Sequence, residues 1–456
     1  MKKLNLLDAS MIIMGSMIGS GIFIVSAEMA GQVVYPGLLL LAWAITGLIT
    51  ILAALSYGEL AAAMPQAGGQ YVYLRQAYNP LVGFLYGWTL FGVIQTGTIA
   101  AVGVAFAKFT GVFLPQISDA VVLLDLGFVQ ISSQKILAIA AIVLLTVYNF
   151  RDIKSGAWLQ NIFTLSKIIA LLALVALGLY FGAEIPDSAA HFTPLFPTSY
   201  GLKDLAIFGA ALTGSLFSAD AWNNITYTAG EVQNPKRNLP IALLIGTFSV
   251  ITIYFFANIA YLQVMDMKTI ASAENGRVGT LMMQTILGNK GKYMMAALII
   301  ISTFGCLNGI IFTAARVYYA MALDGVFFKK AGILNKNNAP QNALIMQCAW
   351  SCLLAFSGTY SDLLNYIMFA VMIFYILTVG GIFILRRTQP NLERPYKVIF
   401  YPYLPIAYII LALIVCVFML WVNTTASLLG LGIILLGLPF YYIFKAKQTP
   451  NLGAND

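Results

Sequence analysis

Charge and histidine are scarce in this chain. Charged residues make up 9% of its 456 positions and hydrophobic ones 60%, with a mean hydropathy of +0.85, whereas soluble globular domains carry roughly 25% charge. Such a composition excludes a soluble domain. The one histidine, His191, cannot by itself form a multi-histidine metal centre or a proton relay. It stands in the polar stretch EIPDSAAHFTPLFPTS, where a solvated loop residue is expected. The four cysteines, Cys306, Cys348, Cys352 and Cys416, lie in apolar stretches, so they offer no extracellular disulfide framework and no CxxC site, and read as small core hydrophobes. An intramembrane enzyme would need His, Asp, Glu or metal ligands gathered near one membrane face. The sequence shows no such gathering, and no metal or cofactor is expected.

What the chain has in abundance is long apolar runs. Segments long enough to cross a ~30 Å hydrocarbon core as helices recur along the whole length. They fall near 8 to 31, 37 to 63, 79 to 108, 134 to 150, 157 to 182, 203 to 229, 238 to 263, 292 to 323, 341 to 357, 361 to 386, 402 to 422 and 426 to 445. The expectation is an all-α membrane protein of about 12 transmembrane helices. MKKLNLLDAS lacks the features of a cleaved signal peptide and reads as retained. With both termini placed in the cytoplasm, 16 Lys and Arg fall on the inner side, Lys2 and Lys447 among them, and 7 on the outer side. Lys167 and Arg316 lie inside helices and complete the 25. Basic residues favour cytoplasmic loops, which supports that orientation and accounts for the net charge of +8 without any nucleic-acid partner.

Two apolar segments are interrupted. The first contains GSMIGSGIF, with Gly15, Gly19 and Gly21 in the middle of a span. Gly15 and Gly19 could form a close-packing GxxxG face. Gly19-Ser20-Gly21 fits that reading less well, because clustered glycines weaken a helix by about 1 kcal/mol each and let bare backbone approach something closely. In lipid, unwound backbone is tolerated only where protein or a water-filled cavity surrounds it. The sixth segment carries LFSADAWNNITYTAGE, with Asp220, Asn223 and Asn224 beside Phe217 and Trp222. A carboxylate at that depth is a functional candidate. Breaks in the first helices of two five-helix halves are the sign of an inverted-repeat transporter, whereas a channel would favour a selectivity ring. Lys167 in NIFTLSKIIALLAL lies about ten residues into its span, deeper than snorkelling to an interface favours.

Four stretches, GSMIGSGIF, YGELAAAMPQAGGQYVYL at 57 to 74, FSADAWNNITYTAGEVQNPKRNLPIAL at 217 to 243 and NGIIFTAARVYYAMALDGVFFKK at 308 to 330, resemble the amino acid, polyamine and organocation (APC) transporter superfamily. Within it the likeness is to the L-type amino acid transporters and their bacterial relatives. The resemblance implies a five-plus-five inverted repeat of the LeuT type within residues 1 to 400. Its repeats would run from about 8 to 182 and from 203 to 386, and two further helices and a tail would occupy 401 to 456. It implies a substrate site of Met17, Ile18, Gly19, Ser20, Gly21, Phe217, Ser218, Asp220 and Asn223. Amides of Ser20 and Gly21 would take the substrate carboxylate, carbonyls of Met17, Phe217 and Asp220 the ammonium, and Phe217 would close as a gate.

Relatives without sodium coupling carry a lysine where Lys167 stands. By that likeness it would link the first break, near Gly15, to the CLNG stretch of the eighth span. Phe217, Asp220, Trp222 and Asn223 of the sixth span and Gln95 and Thr96 of the third are expected to line the side-chain end of the pocket. The function implied is sodium-independent exchange of neutral L-amino acids across the plasma membrane, with proton-coupled symport as the alternative. Pro65, Gly68 and Gly69 end the second span, so Glu59 and the PQAGGQYVY segment read as a structural inner loop rather than a site, and Arg316, toward the inner half of the eighth span, is expected to pair with backbone or a carboxylate as scaffold. Animal L-type light chains are tethered to a glycoprotein through a cysteine between spans three and four. Residues 109 to 133 contain none, so a monomer without a disulfide-linked heavy chain is expected. Relatives carry a DGW-like stretch where this chain has Asp220-Ala221-Trp222, a departure that bears on how the second helix unwinds.

Overall fold

A computed structural model describes residues 3–125, 130–151, 153–199, 201–357 and 360–446. Lys2, Lys447 and the rest of the tail lie outside the described residues. The first apolar segment starts on a capping box, in which Asp8 N–H donates to the Asn5 side chain and Asn5 N–H to the Asp8 carboxylate. This satisfies two amides that a helix start leaves open. The segment then divides into α1 (Leu6–Met17) and α2 (Gly21–Val33). Proline at the first helical position starts α3 (Pro36–Ala63), as its fixed φ and missing N–H favour. α4 (Gln70–Ala77) lies between α3 and the third span, which is built of α5 (Pro80–Thr89), a π-helical turn at Leu90–Ile94, and α6 (Gln95–Thr110).

A short hairpin of β1 (Val122–Asp125) and β2 (Gln130–Ser132) leads into α7 (Ser133–Tyr148) and α8 (Ile153–Gly182). α9 (Leu202–Ser218) is followed by a 3-10 segment, Trp222–Glu231, and then by α10 (Pro235–Val264) and α11 (Met267–Ala271). α12 (Val278–Leu323) begins well before the expected 292 and turns at Gly288, whose φ is +62°. α13 (Gln341–Ser357), α14 (Tyr360–Thr388), α15 (Tyr403–Val422) and α16 (Thr424–Ala446) complete the chain.

All twelve expected apolar segments are helical. Among the described residues, ten spans are long and apolar enough to cross a bilayer; α7 and α13, of 16 and 17 residues, are shorter. The molecule is a multi-pass membrane protein. Its lipid-facing surface carries exposed Leu, Ile and Phe, as on α15 and α16, while α1 and α2 are almost wholly buried at the centre. That placement fits their sequence: polar backbone at a break is tolerable in a membrane only when protein encloses it.

Polar ties cluster at the end of the bundle that carries Leu4. Leu4 N–H donates to the Glu231 carbonyl, and the Leu4 carbonyl accepts from Gln233 N–H, which joins the start of the first span to the end of the sixth. Asp8 accepts from Lys154 at 2.8 Å and from Asn161 at 2.8 Å. Arg316 meets Glu231 at 3.2 Å and the Phe312 carbonyl at 2.5 Å, in keeping with a scaffold role. Glu59, near the C-terminal end of α3, is buried and accepts from Arg386 at 2.9 and 2.6 Å and from Val398 N–H at 2.8 Å. Arg75 pairs with Asp324. His191 departs from its expected solvated state: it is half-buried, with Nδ1 3.1 Å from the Leu262 carbonyl, because the loop folds back onto the end of α10.

Candidate functional site

The first break lies at Ile18–Ser20, with Ser20 as the N-cap of α2. The last carbonyls of α1 lack helical partners and carry the negative end of its dipole. Lys167 of α8, buried beside them, donates from Nζ to the carbonyls of Gly15 at 2.7 Å and Ile18 at 2.8 Å. Tyr254 of α10 donates to the Met17 carbonyl at 2.9 Å. From α12 the Cys306 thiol donates to the Ser16 carbonyl at 3.1 Å, and the Ser302 hydroxyl lies 3.4 Å from the carbonyls of Ile18 and Gly19. Three helices therefore hold the unwound turn. The hydrogen bonds of Lys167 go to the first span, and its stem packs where a Cβ on Gly305 of α12 would lie 3.5 Å from Cε. The link to the eighth span is thus one of packing.

The second break lies between α9 and the 3-10 segment. Ala221 takes φ +66°, in the left-handed region, which costs an L-residue about 1–2 kcal/mol. Unwinding occurs here without the glycine of a DGW-like stretch, and the chain resumes as 3-10 rather than α-helix. The Asp220 carboxylate accepts from the Tyr375 hydroxyl of α14 at 2.5 Å. Trp222 packs edge-on to Tyr57, with ring centroids 4.7 Å apart, and lies 5.3 Å from the Tyr375 ring.

The two breaks face each other. A Cβ on Gly21 would overlap the side chain of Ser218 and approach its Cα to 2.9 Å, so the absence of a side chain at 21 is what lets α2 and α9 meet there. Between the breaks is a small cavity bordered by Met17, Gly19, Ser20, Gly21, Phe217, Ser218 and Asp220. Seven of the expected site residues are thereby brought together. Ile18 is fully buried and its carbonyl is directed to Lys167; Gly15 and Lys167 stand behind the cavity as its support. Asn223 borders a second, smaller cavity that adjoins the first through Asp220.

Gln95 reaches that second cavity as expected. Thr96 does not: its hydroxyl is turned back to the Phe91 carbonyl at 2.7 Å within the π-helical turn, and Thr98 and Val102 border the first cavity instead. Trp222, also expected there, is occupied by its aromatic neighbours. Gln70, Tyr227 and Tyr375 border the second cavity with no sequence signal for that place, and Cys306, which the sequence marks only as a small core hydrophobe, borders the first. Gln70 belongs to the segment read as purely structural, and only its hydrogen bond from Asn223 at 3.0 Å reveals its place. Among the described residues no group of His, Cys, Asp and Glu could hold a metal ion.

Comparison with known proteins agrees with this geometry. Residues 4–440 match the amino acid permease family, a family of transporters rather than enzymes. The chain is 30% identical over 453 residues to the human large neutral amino acids transporter small subunit 2, covering 97% of this chain and 80% of that protein. It is 30% identical over 453 residues to the mouse b(0,+)-type amino acid transporter 1, covering 97% of this chain and 88% of that protein. Two broken helices around a central cavity, and a family match over nearly the whole length, lead to one conclusion: the chain belongs to the amino acid permease family of the APC superfamily.

Proposed function

We propose that the protein is a sodium-independent exchanger of neutral L-amino acids, working by alternating access around the cavity between the two breaks. The observation that carries this reading is the meeting of the breaks at Gly21 and Ser218, with helix ends of opposite polarity bordering one cavity. The substrate carboxylate sits on the first amides of α2, at Ser20 and Gly21, where the helix dipole is positive. The ammonium sits on the carbonyls of Met17, Phe217 and Asp220. The Met17 carbonyl accepts from the Tyr254 hydroxyl and from Gly19 N–H, and the ammonium joins these two donors there. Phe217, bordering the cavity, closes over the bound molecule. Lys167 replaces a sodium ion by bringing one positive charge to carbonyls that would otherwise face each other unpaired.

The names of the relatives support amino acids as the substrate class, and the pocket supports neutral ones. A second carboxylate would face Asp220, and Asp220 itself is engaged by Tyr375. The protein is proposed to work as a monomer in the plasma membrane with both termini cytoplasmic. The relatives named as small subunits are parts of larger assemblies, but the absence of cysteine from residues 109 to 133 leaves no disulfide tether at the corresponding loop.

Counterflow of the twenty L-amino acids into proteoliposomes of purified protein tests the reading. Saturable, stereospecific uptake of neutral L-amino acids is expected, requiring internal substrate and indifferent to sodium. Preferential uptake of glutamate or arginine would overturn the substrate class. Uptake into empty vesicles driven by an imposed proton gradient would replace exchange with symport.

A further inference from the structure

The loop between α14 and α15, residues 389 to 402, borders neither break, yet it is firmly built. Its chain alternates: Leu392, Arg394, Tyr396 and Val398 are partly or fully buried, while Glu393, Pro395, Lys397 and Ile399 are exposed, the two-residue period of extended backbone. The buried set is tied down. Arg394 donates to the carbonyls of Leu392 at 2.8 Å, Leu385 at 2.9 Å and Gln389 at 3.0 Å. Val398 N–H donates to the Glu59 carboxylate at 2.8 Å, and the Tyr396 ring packs where a Cβ on Gly58 of α3 would lie 2.9 Å from it. Arg386, paired with the same carboxylate, lies over the Tyr401 ring, 3.6 Å from its centroid.

What this frame presents outward is both apolar and basic. Phe400 is 77% exposed and Tyr403 76%, with Ile399 exposed beside them. Phe400 takes φ +51°, an outlier for so bulky a residue, so the fold holds this ring out from the surface against the backbone's preference. The three side chains continue the lipid-facing stripe of α15, formed by Ile406, Ile410, Leu413 and Val417, beyond the start of that helix. Arg387, at the end of α14, and Lys397 are exposed on either side of the loop's first half. Its one carboxylate, Glu393, is paired with Lys236 at 2.5 Å. Cations and aromatic rings therefore meet where the lipid-facing surface ends.

We propose that this patch binds an anionic phospholipid of the leaflet at the Leu4 end of the bundle. Phe400 and Tyr403 enter the boundary between headgroups and acyl chains, where aromatic rings are favoured, and Arg387 and Lys397 take the phosphate. The sign of the charge and the continuity with the lipid-facing stripe select lipid over a protein partner. Each basic residue near an anionic surface contributes about fivefold in affinity. The site is independent of the substrate cavity and of the transport reading.

Binding of a fluorescent phosphatidylglycerol to the purified full-length chain in detergent tests it, with phosphatidylglycerol, phosphatidylcholine and inorganic phosphate as competitors. Phosphatidylglycerol is expected to compete about tenfold better than phosphatidylcholine, and inorganic phosphate not at all at the same concentration. In the double variant Arg387→Gln, Lys397→Gln the preference between the two lipids is expected to fall to about twofold or less. Phe400→Asn removes the ring with a residue that tolerates a left-handed backbone, and is expected to weaken both lipids by about threefold or more while keeping the preference; it carries the test if the double variant fails to fold. Equal competition by the two lipids in the wild type, or wild-type behaviour of both variants, would overturn the site. Competition by inorganic phosphate as strong as by phosphatidylglycerol would overturn the lipid as its source. Self-association of the wild type in micelles that Phe400→Asn abolishes would overturn it too, and assign the patch to a second copy of the chain.

Discussion

Lys167 shows how much chemistry one side chain can carry in a membrane. Its ammonium, 1% exposed, replaces solvent for two carbonyls of the first break, and both bonds are charge-assisted and short. Removing it leaves those carbonyls without a donor and opens a hole between α1, α8 and α12. Lys167→Ala is therefore expected to slow counterflow by more than tenfold without conferring sodium dependence, because alanine removes a charge but supplies no oxygen ligand. Transport at the wild-type rate would remove the lysine from the mechanism, and restoration by sodium would show that the carbonyls alone make a cation site. The lysine and the three glycines were legible because each breaks the local rule of an apolar helix. Tyr254 and Tyr375, which hold Met17 and Asp220, were not: in a chain with 24 tyrosines, nothing distinguishes a tyrosine that reaches a helix break from one that packs in the core.

The interrupted helices were legible as events and less so in form. Glycine predicted a break at 19 to 21, and α2 indeed begins at Gly21. In the sixth span the polar run predicted an interruption, but not that Ala221 would adopt a left-handed backbone, since alanine alone favours helix. The turn is over-determined by its surroundings, with Asp220 fixed by Tyr375 and Trp222 clasped between Tyr57 and Tyr375. Ala221→Gly is expected to relieve the backbone cost, less the entropy a glycine adds to the unfolded chain, for a net gain of about 0.5–1 kcal/mol. A rise in Tm of roughly 1–3 °C, read on detergent-purified protein, would follow. A fall would show that the left-handed turn is not what alanine strains against. The π-helical turn at Leu90–Ile94 could not be read at all. Its freed carbonyls are taken by Thr96 and by Trp350 of α13, at 2.7 and 2.8 Å, and a partner more than 250 residues away leaves no local pattern.

Across the whole molecule, the arrangement separates a central pair of broken helices from a surround that grips them. At the end carrying Leu4 the grip is polar, through Leu4 with Glu231, Asp8 with Lys154 and Asn161, and Arg316 with Glu231; any path to that side must part these groups. At the level of the cavity the central pair touch each other directly, backbone against side chain, at Gly21 and Ser218. That contact makes the two positions a single heritable unit. Gly21→Ala alone is expected to abolish substrate binding, because its methyl forces the breaks apart. Adding Ser218→Gly, which vacates the space the methyl would enter, is expected to restore at least a tenth of wild-type affinity, a coupling of the kind a double-mutant cycle measures. If the double variant were as impaired as the single one, the methyl would be acting on the ligand rather than on its neighbour. Should the rescue hold, lineages of this protein are free to drift at position 21 only after position 218 has changed, so the order of two substitutions, and not just their identity, is set by one interhelical distance.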